Sequence, residues 1–511
     1  YIYAIITASV QSMPTEMPPE TIDELFSRCC AQRRPDGAQD FNASRIYSLQ
    51  ASPFTVWCDY HAPREQALSE SNRYEQMRRQ CDTKTRDEWI SSIFSEISPV
   101  RESRSEEAFR ATLAAMQRGD KVISRPCLWN LPKGMFGRAG LLIRVNEGQS
   151  VFGPYHYQLA LFKQALDLKE HYSLQAAFMN DVLAGVQGYE APTIRVYLKS
   201  GERAVTQADW KEKLENLLAK WRDIRDNRLQ PETSRPPNGA LPPWRMYANK
   251  VAADRKDLVM IPGTGWDLRA KLREAGMPDL PAVAEAGIEK IRAAVGDPFA
   301  ADVFGSSLAY KHGKPVLRNA AHFPPKRGAR NLYFDFETSD SLSSNQKPHT
   351  YLIGVWDKEA AKYFYFLTKG AEDEEKIFRE FIEYVGDPKQ AVLYHWTEYE
   401  VKQLRDIASK YPALKEGIHG LISCCLDLKE SVRKAFYIPA PGFSLKTVAP
   451  IFGFHWRQKD VGAMDAMVYY WDWLAGGGDE ALQKVLLYNE DDCYSMLHVD
   501  LELQKIDPVK L

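Results

Sequence analysis

Hydrophobic and polar positions change rhythm three times along the chain. Between residues 121 and 162 the apolar residues come in short bursts: KVISRPCLWNL (121–131), GRAGLLIRV (137–145) and PYHYQLALF (154–162). Bursts of that length, bounded by Gly and Pro, predict strands of a meander. The stretch SLQAAFMNDVLAGV (173–186) has helical spacing, and ADWKEKLENLLAKWRDIRDNR (208–228) predicts a long amphipathic helix. That helix opens a helical block, which is interrupted by the Pro-rich run Pro231 to Pro243 and ends at the linker-like HFPPKRGAR (322–330). From Asn331 the pattern becomes strand, strand, strand, helix, strand, helix: NLYFDFET, YLIGVWD, AKYFYFL, EEKIFREFIEYVG, AVLYHW and EYEVKQLRDIASKY. Three domains are expected, at 13–200, 201–325 and 326–511. The expected fold class is α/β and α+β multidomain, with a mixed sheet flanked by helices in the last block. No repeat of solenoid period is present.

Composition changes this picture little. With 511 residues, 44% hydrophobic and 26% charged, the chain reads as globular rather than disordered. No run approaches the ~20 apolar residues of a membrane helix. Charge is more informative. Residues 201–330 carry 23 basic and 16 acidic side chains, whereas 331–511 carry 20 and 29. A net +7 beside a net −9 fits polyanion contact in one block and cation binding in the other, or two solvated surfaces. The eight cysteines form no CxxC pair, so a reducing cytoplasmic setting is expected. The apolar first twelve residues lack the basic start of a secretory signal, and Met13 is a candidate start.

The sharpest chemical signal is Asp335-Phe336-Glu337. Alternate residues of a strand share a face, so two carboxylates stand side by side at the end of an apolar run. Burying such a pair requires a compensating positive charge, and hard oxygen ligands suit Mg²⁺ or Mn²⁺. Glu398 and Glu400 open the helix after AVLYHW, and the final helix carries Tyr488 and Asp492 four residues apart, on one face. A carboxylate that holds metal, one turn from a tyrosine that orients water, is a layout for two-metal phosphodiester hydrolysis.

In this order and spacing, the block resembles the DEDD superfamily of 3′–5′ exonucleases, which have a ribonuclease H-like fold. Tyr488 points to the DEDDy subgroup. The resemblance implies that Asp335, Glu337 and Asp492 are metal ligands and that Tyr488 positions the water. The second motif ordinarily carries Asp after an aromatic residue; here Tyr399-Glu400 stands in its place, with Glu398 as the rival. The stretch AFYIPAPGFSLKTVAPIFGF and YNEDDC are similar to bacterial proteins in which a RecB-like nuclease block precedes a DEDD block. Lys446 in that stretch is read as a surface lysine, with phosphate contact as the alternative.

In the middle block, Ile261-Pro262-Gly263-Thr264-Gly265 joins a short helix to a second one. It resembles a helix-hairpin-helix element, spanning 257–285, which grips nucleic-acid backbone through amide groups. Ile261, Gly263, Gly265, Arg269 and Lys271 are the expected contacts, with Arg273 adding charge. A hairpin that only packs between domains is the alternative.

The first block resembles a RecB-like PD-(D/E)XK nuclease, a restriction-endonuclease-like core, with its chemistry missing. Gly140 stands where an Asp belongs after Gly-Arg-Ala. His156-Tyr157-Gln158 is read as standing in the D-x-K place, and Thr85 or a neighbour in that of the upstream acid. Only Gln175 survives. The region LPPWRMYANK lacks the cysteines of related iron–sulfur proteins, so no such cluster is expected.

The expected function is therefore metal-dependent 3′–5′ exonucleolytic hydrolysis, single-stranded DNA favoured, using Asp335, Glu337, Glu400, Tyr488 and Asp492 and two ions. The alternatives are an inactive nucleic-acid-binding scaffold of a larger complex and an RNA-trimming exoribonuclease. A helicase or another processing enzyme is a possible partner by family analogy; no membrane partner is expected.

Overall fold

The computed structural model describes residues 20–31, 40–67, 73–102, 106–233, 241–340, 347–459, 461–507 and 509–510. Met13 and everything before it, and much of the Pro231–Pro243 run, lie outside these residues. The chain divides into two compact units: Tyr1–Gln66, Thr85–Glu232 and Asn238–Trp244 in one, Ala67–Lys84, Thr233–Pro237 and Arg245–Leu511 in the other. The helix predicted over 208–228 thus falls in the first unit, while the hairpin region and the last block share the second. Residues 67–84 also belong to the second unit, where Tyr74 and Met77 pack with Tyr351, Tyr470 and Leu486.

In the first unit a six-stranded mixed sheet runs in chain order: Ile97–Pro99 (β1), Val122–Ser124 (β2), Leu141–Val145 (β3), His156–Lys163 (β4), Thr193–Leu198 (β5) and Gly201–Thr206 (β6). The helix Glu170–Gln187 (α1) connects β4 to β5, which are parallel, as a crossover requires. Its Phe178, Met179, Val182 and Leu183 are fully buried in the unit's core. The helix Gln207–Arg225 (α2) adds Leu214, Leu218, Trp221 and Ile224, the inward stripe its periodicity predicted.

The strand register places the residues singled out in this block. In the antiparallel β3–β4 pair Leu141 faces Ala160, and His156-Tyr157-Gln158 faces Val145, Arg144 and Ile143. A Cβ at Gly140 would lie 2.7 Å from the Ala160 carbonyl oxygen and 3.4 Å from the Leu161 Cα. Gly140 thus lies against the middle of β4, and His156 at its start. At the far end of β4, Lys163 Nζ donates to Gln175 Oε1 at 2.5 Å and lies 4.8 Å from the Tyr172 ring centroid, and burial lowers its pKa to about 8. A strand's register is set by its neighbour, which a local pattern does not contain. His156 itself is buried, with Nδ1 against the Glu147 carbonyl.

The second unit contains the hairpin helix Trp266–Glu274 (α3) and a five-stranded mixed sheet. Its elements in chain order are Arg330–Ser339 (β7), His349–Asp357 (β8), Lys362–Leu367 (β9), Glu374–Val385 (α4), Ala391–His395 (β10), Glu398–Lys410 (α5) and Cys425–Asp427 (β11). The short helix Leu445–Val448 (α6), then Ala463–Leu474 (α7) and Asp479–Lys505 (α8), complete it. The spatial order is β9-β8-β7-β10-β11; β7–β8 and β8–β9 are antiparallel, β7–β10 and β10–β11 parallel. A central strand is covered on both faces, which explains why β7 reads as almost continuously apolar. One face sends Leu332, Phe334 and Phe336 into a core with Phe378, Phe381 and Leu404 from α4 and α5. The other face carries Tyr333, Asp335 and Glu337. The last half of α8 is fixed there: Arg327 pairs with the buried Asp500 through both guanidinium nitrogens at 2.5 and 2.6 Å, and Tyr333 donates to the same carboxylate at 2.5 Å.

Because its Cβ site is filled by backbone of the next strand, Gly140→Ala should destabilise the protein by about 1–3 kcal/mol. A shift in the denaturant midpoint checks this; an unshifted midpoint would mean that β3 and β4 can part there freely.

Candidate functional site

The sequence builds the site from two elements. On β7, Asp335 and Glu337 share a face by strand alternation, opposite Gly354 and Leu352 of β8. On α8, Tyr488 and Asp492 share a face by helical spacing. The side chains meet: carboxylate oxygens of Asp335, Glu337 and Asp492 all lie within 4.8 Å of one another. Glu337 is 5% exposed, whereas Asp335 and Asp492 keep partial access to solvent.

Crowding shows in the acidities. Burial, with the charges of Glu337, Asp492 and Glu400, holds the Asp335 carboxyl well above its ordinary range. Burial and the Asp492 charge push Glu337 up to about 8. Asp492 is also raised by burial, against the opposing pull of Lys446 and hydrogen bonds from Trp456 and Tyr488. Tyr488 is raised by burial and by the neighbouring acids. Groups pushed apart from their ordinary behaviour in this way mark sites of chemistry rather than of stability.

Glu400 stands further back, outside the tight group. It is 4% exposed, accepts from the Thr397 hydroxyl at 3.0 Å, and has Oε2 3.6 Å from His395 Nδ1. Its charge still reaches Asp335. The rival, Glu398, is exposed at the first turn of α5. Thr397 caps that helix by accepting from the Tyr399 amide, so Glu400 also serves the helix end.

Three more residues complete the site, two of them, Asn489 and Trp456, given no role by the sequence reading. Asn489 Nδ2 donates to Asp335 Oδ2 at 3.2 Å and to Glu337 Oε1 at 3.4 Å, while its own oxygen accepts from the Tyr363 hydroxyl at 2.8 Å. A Cβ at Gly354 would fall 1.6 Å from Asn489 Oδ1, so the amide sits where only glycine leaves room. Trp456 Nε1 donates to Asp492 Oδ1 at 2.6 Å. Lys446, expected as a surface lysine, donates from Nζ to the Tyr488 hydroxyl at 2.9 Å. Asn489 was within reach, since it adjoins Tyr488 in sequence. Lys446 lies in the four-residue α6 and Trp456 in the segment that follows it, too short and irregular a path to carry a periodic signal.

Beside the acids opens a cleft of ≈ 630 Å³ in which five consecutive residues, Phe336 to Asp340, form one wall. The register shifts beside this wall: Glu337 faces Leu352 and Thr338 faces Thr350, so the extra residue, Tyr351, lies on β8. Tyr399, 42% exposed, and Met464 stand on the opposite side, and Tyr399 exchanges a 2.9 Å hydrogen bond with Thr338.

The hairpin residues fare unevenly. Gly263 has φ +77, Gly265 stands at the N-terminal end of α3, and Lys271 is exposed. Ile261 is buried in a core with Leu258, Leu272 and Met277. Arg269, expected to face nucleic acid, is instead 2% exposed: its guanidinium donates to the Thr233 carbonyl at 2.8 Å and stacks 4.1 Å from the Trp266 ring centroid. On a helix entering a core, every fourth residue turns inward, and the guanidinium satisfies a backbone carbonyl there.

No curated protein and no solved structure matches the chain. The family described as the RNase H superfamily does, over residues 332–504, a span that begins in β7 and ends in α8. The carboxyl-terminal part of the chain is thus a ribonuclease H-like domain, of the class that hydrolyses nucleic acid with divalent metals.

Proposed function

We propose that the second unit is a metal-dependent 3′–5′ exonuclease of the DEDDy type, with single-stranded DNA as the favoured substrate. The observation that carries the reading is the convergence of Asp335, Glu337 and Asp492 within 4.8 Å, two of them from a strand and one from a helix far away in sequence. The donor set fits Mg²⁺ or Mn²⁺: all-oxygen ligands, partly buried and mutually repelling, with pKa values raised by burial and by one another's charge. Asp335, Glu337 and Asp492 would hold the metal, with Glu400 the fourth carboxylate. Two such cations, when bound, stabilise charge on the attacking and leaving oxygens of a phosphodiester.

The chain's own residues supply the remainder. Asn489 fixes the Asp335 and Glu337 carboxylates by hydrogen bonds, and Trp456 fixes Asp492. Tyr488 stands one helical turn from Asp492, where its hydroxyl orients the attacking water. The neighbouring cleft accepts the terminal nucleoside. Its lining carries Glu337, Asp340 and Asp406, while Glu374 is paired with Lys410; the remaining acids disfavour a phosphate there and so favour a chain end over a continuous strand. The exposed Tyr399 ring offers a stacking face to a base. The first unit is read as a degenerate restriction-endonuclease-like core, with Gly140 in the place of a metal-binding acid, and the hairpin as a backbone grip through Gly263, Gly265 and Lys271.

Asp335→Asn should lower cleavage of a single-stranded oligonucleotide by about a thousandfold or more, the equivalent of ~4 kcal/mol of transition-state stabilisation. Single- and double-stranded DNA and RNA labelled at either end, incubated with Mn²⁺, would read polarity and substrate together. Retained cleavage in the variant, or product released from the 5′ end, would overturn the assignment.

The raised pKa of Glu337 gives a second test. The folded protein keeps a proton that the unfolded chain releases above its ordinary value of 4.5. This group's contribution to stability is therefore complete below about pH 4.5 and is lost as pH rises through about 8. Without metal, Glu337→Gln should lessen the fall in melting temperature between about pH 5.5 and pH 8.5 relative to wild type. Mn²⁺ should raise the wild-type melting temperature more at the higher pH, where fewer protons must be displaced, and should do little for the variant. Equal shifts in the two proteins would exclude Glu337 as a ligand.

A further inference from the structure

Lys446 is the one basic side chain in hydrogen-bond contact with Tyr488 among the described residues, and its position is over-determined. Its Nζ is 2.9 Å from the Tyr488 hydroxyl, 4.5 Å from the centre of the Tyr488 ring and 5.7 Å from that of Trp456. The same Trp456 holds Asp492 through its indole N–H. The backbone just before α6 is fixed in turn, since the buried Trp396 donates from Nε1 to the Phe443 carbonyl at 2.8 Å. The rest of the Lys446 residue remains exposed.

The hydrogen-bonding inventory then becomes restrictive. A lysine ammonium has three donors and no acceptor, whereas a tyrosine hydroxyl has one proton to give and lone pairs to receive with. Facing an ammonium, the Tyr488 oxygen can only accept, so its own proton must point elsewhere. Asp492, one helical turn along the same face, offers a carboxylate for it to turn to. With its proton so directed, what the hydroxyl has left is acceptor capacity. A water lying against it must donate an O–H and thereby turns a lone pair outward, as attack on phosphorus requires.

Resting on the nuclease reading above, we propose that Lys446 is a positioning residue that sets the polarity of the Tyr488 hydroxyl, making it an acceptor toward the attacking water. Without the ammonium, the phenolic proton is free to swing toward the water and occupy the lone pair that should attack. Lys446 therefore acts through Tyr488 and not by gripping the nucleic-acid chain.

A double-mutant cycle tests this on the full-length protein. Lys446→Met keeps length and removes the donors; Lys446→Arg keeps a donor; each is made alone and with Tyr488→Phe, with Asp335→Asn as the control. The exposed position of Lys446 makes folding of these variants expected, and a melting curve verifies it. Lys446→Met should lower kcat about ten- to hundredfold, the scale of a misplaced reacting group, with KM for a short oligonucleotide little changed. Lys446→Arg should recover most of that loss. In the Tyr488→Phe background Lys446→Met should lower kcat no further, because there is no hydroxyl left to orient. Equal losses in both backgrounds would overturn the proposal, and so would a rise in KM with kcat unchanged, the signature of a phosphate grip. Wild-type inactivity, or an active Asp335→Asn variant, would instead bring down the hydrolase reading and this proposal with it, an outcome distinct from the other two.

Discussion

Three carboxylates within 4.8 Å of one another are the constraint around which the second unit is arranged. Like charges at that distance resist burial, and the surroundings answer with directed donors rather than with a buried salt bridge. Asn489 serves Asp335 and Glu337, Trp456 serves Asp492, and Lys446 stands one residue away behind Tyr488. These donors reduce the repulsion without removing it, in keeping with the raised pKa of Glu337. An arrangement left short of positive charge at its centre is one that gains by taking up a cation.

Holding such a centre together demands a rigid frame. β7 is gripped from its apolar face by Phe378 and Phe381, and from its polar face by α8. The Arg327–Asp500–Tyr333 cluster anchors α8 about two turns beyond Asp492, so the helix cannot slide to relieve the crowding. At the other end of the register, Gly354 lets Asn489 come close enough to reach both strand carboxylates. The destabilising centre and its stabilising frame thus lie on the same two elements.

Much of this was legible in the sequence, because strand and helix periodicities are local. The alternation of Asp335 and Glu337 and the four-residue step from Tyr488 to Asp492 placed each pair on one face, and both pairs do face the centre. Burial separates Glu400 from Glu398, which spacing alone left open. What periodicity does not contain is partnership between distant segments. The β3–β4 register sets Gly140 against Ala160 and Leu161 and His156 opposite Val145, which no local pattern shows. Arg269 looked like a nucleic-acid contact because it is basic and near a hairpin, yet its helix turns it inward to the Thr233 carbonyl. Lys446 looked ordinary because nothing in its neighbours announces Tyr488, forty-two positions away.

The shift of register after Glu337 carries a consequence for how this domain can vary. The side chains of β7 obey a two-residue rhythm, so one residue inserted before the acids would exchange Phe334 and Phe336 for them and drive charge into the apolar layer. The extra residue at the shift belongs to β8, where Tyr351 stands between the partners of Glu337 and Thr338. The neighbouring strand thus absorbs an irregularity that the acid-bearing strand could not take up without losing its phase.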